Sequence, residues 1–392
     1  MAVLPMRIKP HKEVFQLSMQ RLADFVIRNH TKLLIVIGDS SLLITAMIPK
    51  NQLNDVFVEY FDESIEFRTH TDYVADNLTG MYFIDYAIPA GETGGVSNPD
   101  YLRNVEDFAN WMRQQPEVLH VNTITDIFKR LNRNMHADDD AWYRLPEERE
   151  LAAQYLLLYE MSLPYGLDLN NQIDLDKSAT RVSVTLKTIS SNEVLKLERL
   201  AQQWFADHAP ELAVKGASPT IMFANIGKRN IESMLVGTSV ALVLISLLLV
   251  FALRSLKLGI ISLIPNLLPA GVAFGLWGLF VGEVGLALSV VTAMSLGIVV
   301  DDTVHFLSKY VRARREKGLR AADAVRYAFS TVGVALWVTT MVLVAGFLVL
   351  SQSAFELNAG MGLLTAIVIV IALFLDFFLL PPILIKTEEN YL

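Results

Sequence analysis

Within the last 160 residues, five stretches run for 17 residues or more without a charged side chain, and this limits what the chain can fold into. Met234–Leu253 gives 20 such residues, Leu258–Phe280 gives 23, Val284–Val300 gives 17 and Tyr327–Phe355 gives 29. Leu357–Leu375 gives 19 before Asp376, and nine more follow to Ile385. About 20 apolar residues cross a bilayer core as helix, so spans are expected at 233–253, 258–280, 284–308, 331–350 and 359–385. A further span at 33–48 is 16 residues long and interrupted by Asp39, with Lys32 and Lys50 placed to reach the headgroups. A short apolar stretch near an N-terminus also fits a signal peptide, but Thr45, Ala46 and Met47 make a poor cleavage site. Hydrophobic residues at 53%, charged residues at 19% and a mean hydropathy of +0.38 are too apolar for an ordinary soluble enzyme. A net charge of −8 argues against a nucleic-acid partner. With no cysteine, disulfide frameworks, thiolate metal sites and cysteine nucleophiles are excluded.

Charge orients the spans. Residues 1–32 carry six basic and two acidic side chains, the Arg254–Lys257 turn two basic and none acidic, and residues 309–326 seven basic and two acidic. The turns around Glu283 and Glu356 have no Lys or Arg. The positive-inside rule therefore predicts both termini on the cytoplasmic side. That arrangement gives a cytoplasmic amphipathic segment at 1–32, a second such helix at 309–328 and a cytoplasmic tail at 386–392. Residues 49–232 then lie outside, with 17 basic and 29 acidic residues, a balance of −12. The expected setting is a bacterial inner membrane, crossed six times.

The outside lobe shows two related stretches, at about 80–125 and 180–225. In the first, Met81–Ile88 alternates as a strand, Asn98 and Pro99 cap and start a helix, Pro116 stops it, and Val118–Val121 is a second strand. In the second, Arg181–Thr188 is the strand and Ser190 with Glu193 forms a capping box. Its helix passes Trp204, and Pro210 stops it before a strand at Leu212–Val214. Repetition at this scale predicts duplicated βαβ units in one α+β lobe, unless any α+β domain would produce the coincidence. A helix is expected over Pro146–Leu163. The acidic run Asp138–Asp140 ahead of it is a candidate divalent-cation site or, more simply, a solvated turn.

Ionisable groups inside spans point to function. Asp301, Asp302 and Asp376 fall inside or at the cytoplasmic third of their spans, and Asp39 inside the first. Such a group costs about 2.5–3.5 kcal/mol in hydrocarbon even on the lenient insertion scale, and it commonly marks an ion or proton pathway. At 1.5 Å per residue, Asp39, Asp301 and Asp302 lie roughly 10 Å from the cytoplasmic ends of their helices, and Asp376 roughly 13 Å. Asn266 and the pair Thr339–Thr340 fall at similar heights, so spans of alternating direction put polar groups in one layer. Adjacent aspartates point about 100° apart, and two nearby carboxylates in low dielectric resist double ionisation. His305, four residues after Asp301, is a candidate relay partner, or a histidine at the cytoplasmic interface. The plainer alternatives are a helix-end pair for Asp301–Asp302 and a helix end for Asp376. No GxGxxG, Walker, HExxH or GxSxG pattern is present, so neither a cofactor nor catalysis is expected, and energy must come from an ion gradient or another subunit.

The stretches "LGIVVDDTVHFLSKYVRARREKG" (Leu296–Gly318) and "FLDFFLLPPIL" (Phe374–Leu384) resemble the RND superfamily. The nearest resemblance is to its hydrophobe/amphiphile efflux branch, related to mycobacterial large membrane proteins and Patched-like proteins. The resemblance covers nearly the whole chain as one half-transporter, made of one span, a porter domain and five spans. It implies that Asp301 and Asp302 carry proton coupling and that the porter domain conducts the cargo. H+ is the implied coupling ion, with Na+ open. The expected fold is therefore an α-helical polytopic membrane protein with six transmembrane helices plus an extracytoplasmic α+β porter domain. The expected function is proton-driven export of a hydrophobic or amphiphilic molecule such as a lipid. Two rivals are a secretion-assisting motor like SecD/SecF and a non-pumping lipid-sensing scaffold. The family usually carries two such halves in one chain, so a homodimer or a pairing with an N-terminal half is implied. The stretch Met6–His30 reads like a connector between halves. Drug exporters of the superfamily also place a lysine opposite the aspartates, and none of these spans has one, which leaves proton handling to acids with Thr339, Thr340, Asn266 and His305.

Overall fold

The computed structural model describes residues 12–164 and 167–389, so the expectations for Met1–His11 and for the tail beyond Glu389 lie outside it. The chain divides into two compact units, the second made of residues 54–228 and the first of the rest of the chain.

Among the described residues of the first unit, six helices are long and apolar enough to cross a membrane. They are His30–Lys50, Pro219–Leu253, Leu256–Phe280, Leu286–Lys317, Ala321–Leu350 and Glu356–Thr387, called here spans one to six. A further helix, Lys12–Arg28, precedes span one. The amphipathic helix expected at 309–328 does not form as a separate element. Span four continues unbroken through Lys317, with an Arg312–Glu316 ion pair (2.7 Å) along its charged end and three basic residues in its last turn. The basic residues suit a helix C-terminus, and the ion pair adds modest i,i+4 support. The stop comes at Gly318, whose φ of +65° makes the left-handed cap that favours glycine. Span five starts three residues later and contains a π turn at Phe329–Gly333. Span six breaks at Leu379, where Pro381 and Pro382, within the first turn of the segment Leu380–Glu389, cannot continue the hydrogen-bond ladder from the preceding turn.

Spans one and three meet along a glycine seam. A β-carbon at Gly275 would run into the carbonyl oxygen of Ile44, one at Gly278 would lie 2.8 Å from the Asn51 amide nitrogen, and one at Gly271 3.0 Å from Thr45. Missing side chains let the two backbones approach, as small residues do throughout membrane helix pairs. The seam ends in a short parallel pairing of Gln52–Leu53 with Glu283–Val284, beside an Asn51 side-chain bond to the Phe274 carbonyl (2.9 Å).

The second unit contains α1 (Glu66–Asn77), β1 (Tyr82–Pro89), α2 (Pro99–Arg113), β2 (Val118–Asn122), α3 (Ile124–Met135), α4 (Arg149–Ser162), β3 (Ala179–Leu186) and α5 (Ser191–His208). β3 is central, antiparallel to β1 on one side and β2 on the other. Alternation buries Tyr82, Ile84, Tyr86 and Ile88 of β1 and Thr180, Val182, Val184 and Leu186 of β3. This face meets α2 and α5 through an aromatic cluster, with Phe108 4.5 Å from Phe205, 5.1 Å from Tyr86 and 5.2 Å from Trp204. The strand expected at Leu212–Val214 is instead a 3-10 turn, Pro210–Leu212, and pairing on that side shrinks to a single bridge between Ala217 and Asp85. The order Ala217–β1–β3–β2 is that of a split βαβ arrangement with its last strand worn down to one residue pair. Glu106 and Arg113 of α2 bind Lys129 (2.5 Å) and Asp126 (2.6 Å) of α3, fixing those helices together. In the acidic run, Asp139 caps the Ala141 N–H and Asp140 pairs with Arg133 (3.2 Å).

Both helix starts follow local chemistry. Asn98 accepts from the Asp100 N–H ahead of Pro99, and Ser190 and Glu193 form the reciprocal capping box. The Ser190 backbone N–H, with its hydroxyl, holds the Glu193 carboxyl below the usual carboxylate range. A group shifted this way stabilises the fold above its unfolded titration range and loses that contribution as pH falls through the folded one. Ser190→Ala should therefore cost about 1 kcal/mol near neutrality, and the difference in melting temperature from wild type should shrink in acid. Gly275→Ala should lower the melting temperature of the detergent-solubilised chain, overpacking costing about 1–3 kcal/mol. Gly38→Ala, where a β-carbon meets nothing within 4 Å, should not.

Candidate functional site

Span four presents two faces around its acidic pair. Ser295, Val299, Asp302, Thr303, Phe306 and Tyr310 are buried at helical spacing and form the ridge turned into the bundle. Asp301 lies about 100° around the helix and is exposed, with its side chain 71% accessible. Its partner is His305 on the same outer face, with Nε2 3.4 Å from Oδ1.

Span six brings a second acid to the ridge. Asp376 is fully buried among Ala372, Leu373, Leu375 and Phe377. The Thr303 hydroxyl donates to its Oδ1 at 3.0 Å. Its other oxygen has no hydrogen-bond partner among the described residues. From span five, the buried Thr340 hydroxyl reaches Asp302 Oδ2 at 3.5 Å, and Asp302 is near enough to Asp376 for their charges to repel. Among the described residues, no cation forms a salt bridge to either carboxyl. The result is a four-residue polar cluster, Asp302, Thr303, Thr340 and Asp376, contributed by three spans and enclosed by apolar side chains.

Of the residues singled out from sequence, Asp302, Thr340 and Asp376 come together. Asp301 and His305 stay on the outer face of span four. Thr339 bonds the carbonyls of Ala335 and Leu336 in its own helix, and Asp39 is exposed on span one. Asn266 is buried between Pro265 and Pro269 in span three, and its Oδ1 lacks a partner among the described residues. Thr303 went unnoticed in the sequence because a threonine in an apolar run is unremarkable. The signal for it was its position beside Asp302 on the Ser295–Val299–Phe306 ridge.

A model of the MMPL family matches residues 172–387, more than half of the chain, taking in β3, α5 and spans two to six. The chain is also 28% identical over 159 residues to a membrane protein of Methanocaldococcus jannaschii, an alignment that spans 41% of each protein.

The threonine that joins the two acids has a measurable weight. Thr303→Val removes the donor to Asp376 and should destabilise the chain by about 1–3 kcal/mol, read as a lower melting temperature. Pairing it with Asp376→Leu should recover much of that loss, whereas Thr339→Val should stay within about 0.5 kcal/mol of wild type.

Proposed function

Because the chain belongs to the MMPL family, we propose that it is a proton-driven, RND-type exporter of a hydrophobic or amphiphilic molecule, with a lipid as the expected cargo. The observation that carries this reading is the buried pair Asp302 and Asp376, on different spans, with Thr303 and Thr340 as hydroxyl donors. Two enclosed carboxyls without a cation cannot both ionise cheaply, so they hold a proton between them. Losing or gaining that proton changes the charge at the contact between spans four and six. This gives the ion gradient a mechanical handle on the bundle.

In this reading Thr303 and Thr340 orient the acids, Asn266 and Thr339 border the polar layer, and Asp301 with His305 passes protons toward the cytoplasmic end. Asp39 stands apart from the pathway. The outer face bearing Asp301 and His305 would cost about 2.5–3.5 kcal/mol per charge against lipid. A second bundle, whether another copy of the chain or a partner half, relieves that cost by covering the face. Residues 49–232 form the porter lobe outside the membrane, its two strand–helix halves being copies of one unit, and both termini lie in the cytoplasm, as the positive-inside balance supports.

The test is transport in proteoliposomes, using a fluorescently labelled lysophospholipid and an imposed pH gradient. Wild type should move the probe only with the pH gradient. Asp302→Asn and Asp376→Asn should each fall to the level of empty vesicles while keeping wild-type yield and melting behaviour. Undiminished transport by both variants would overturn the proton assignment, and transport driven by a Na+ gradient alone would replace H+ as the coupling ion.

A further inference from the structure

Three residues of the π turn at Phe329–Gly333 weaken span five from within. The Ser330 hydroxyl donates to the Tyr327 carbonyl at 2.9 Å, and the Thr331 hydroxyl to the carbonyls of Tyr327 (2.7 Å) and Ala328 (3.1 Å). Such side-chain bonds compete with the backbone ladder and bend helices. Gly333 follows, and glycine is a poor helix former.

Support for this turn comes from the helix Lys12–Arg28. Met19, Ala23 and Val26 recur at helical spacing and are buried. Met19 and Ala23 share one apolar cluster with Phe329, Val332 and Leu336 of span five. The Met19 sulfur fills the space over Gly333, 3.2 Å from where a β-carbon would stand. On one side of this plug the rings of Phe15 and Trp337 lie 6.0 Å apart. On the other, Arg326 donates to Asp24 Oδ1 from Nε (3.0 Å) and Nη2 (2.8 Å), and to Asp323 of its own helix from Nη1 (2.7 Å). A planar guanidinium held at both ends fixes orientation as well as distance. The three contacts run in opposite order along the two segments, so the helix lies antiparallel to span five and grips it from Arg326 to Trp337.

We propose that the Lys12–Arg28 helix is a clasp that fixes how span five is turned, and through it the pairing of Thr340 with Asp302, with Met19 as the positioning residue. The helix from Val334 to Leu350 is unbroken, so an orientation set at Gly333 is carried to Thr340, about two turns further on. At 3.5 Å the Thr340 hydroxyl stands at the outer limit of a hydrogen bond to Asp302. A small movement of span five therefore decides whether that bond exists. The clasp itself does not depend on the transport reading, whereas its effect on proton exchange at Asp302 rests on it.

The experiment joins amide hydrogen exchange of the full chain with infrared difference spectra between acid and alkaline buffer. Met19→Ala should speed exchange in the stretch 329–337 by about ten-fold. Asp24→Asn, which weakens a half-exposed ion pair, should speed it by about three-fold. Met19→Leu, which keeps the plug, and Gln20→Ala, at an exposed position of the same helix, should match wild type. The carboxyl band abolished by Asp302→Asn should move in Met19→Ala as it moves in Thr340→Val, and stay in place in Met19→Leu. Unchanged exchange in both Met19→Ala and Asp24→Asn would overturn the clasp, as would faster exchange spread evenly over all six spans. Faster local exchange with an unmoved band would overturn the link to Thr340. If no band depends on Asp302, the proton reading of the acid pair falls, while exchange still decides the clasp.

Discussion

A polar group inside a bilayer has no water to fall back on, and the arrangement of the six spans follows from that scarcity. Asp376 sits where no solvent reaches, and what it receives is one hydroxyl from a neighbouring helix. Asp302 is in a similar position, with Thr340. Each acid depends on a side chain from a different span, so helix packing and acid chemistry cannot be varied separately. Elsewhere the bundle avoids the problem, with spans one and three meeting through bare glycine backbone.

Much of this architecture can be read in the sequence, and what escapes has physical causes. The spans are visible because hydrocarbon tolerates few charges over about 20 residues, and each expected span falls largely inside a membrane-length helix, although the helices of spans two, four and five run well past the expected bounds. The helix starts at Pro99 and Ser191 are visible because caps depend on residues only a few positions apart. The strand expected at Leu212–Val214 fails because strand formation depends on a partner edge, which the local pattern does not contain. The helix boundary expected near residue 309 fails for another reason. Charge ends a membrane crossing but not a helix, and span four stays wound through its charged end until Gly318.

The acid site was partly legible. Sequence adjacency groups Asp301 with Asp302, whereas the fold separates them onto two faces and brings Asp302 near an aspartate 74 positions later in the chain. The same rotation separates Thr340, in the cluster, from Thr339, outside it. Periodicity identifies which residues share a face, but only tertiary packing tells which face is turned inward.

The π turn at Phe329–Gly333 gives span five an adjustable register. A π turn holds one residue more than an α turn, and such surplus residues are frequent at functional sites. Were the surplus to migrate toward the far end of the helix, the segment it passed would rotate by about 100°. Passing Thr340 would carry that hydroxyl away from Asp302 and swing Thr339 into its place. A helix built this way works like a ratchet wheel with two teeth, able to exchange the group facing a buried acid without unfolding or leaving the bundle.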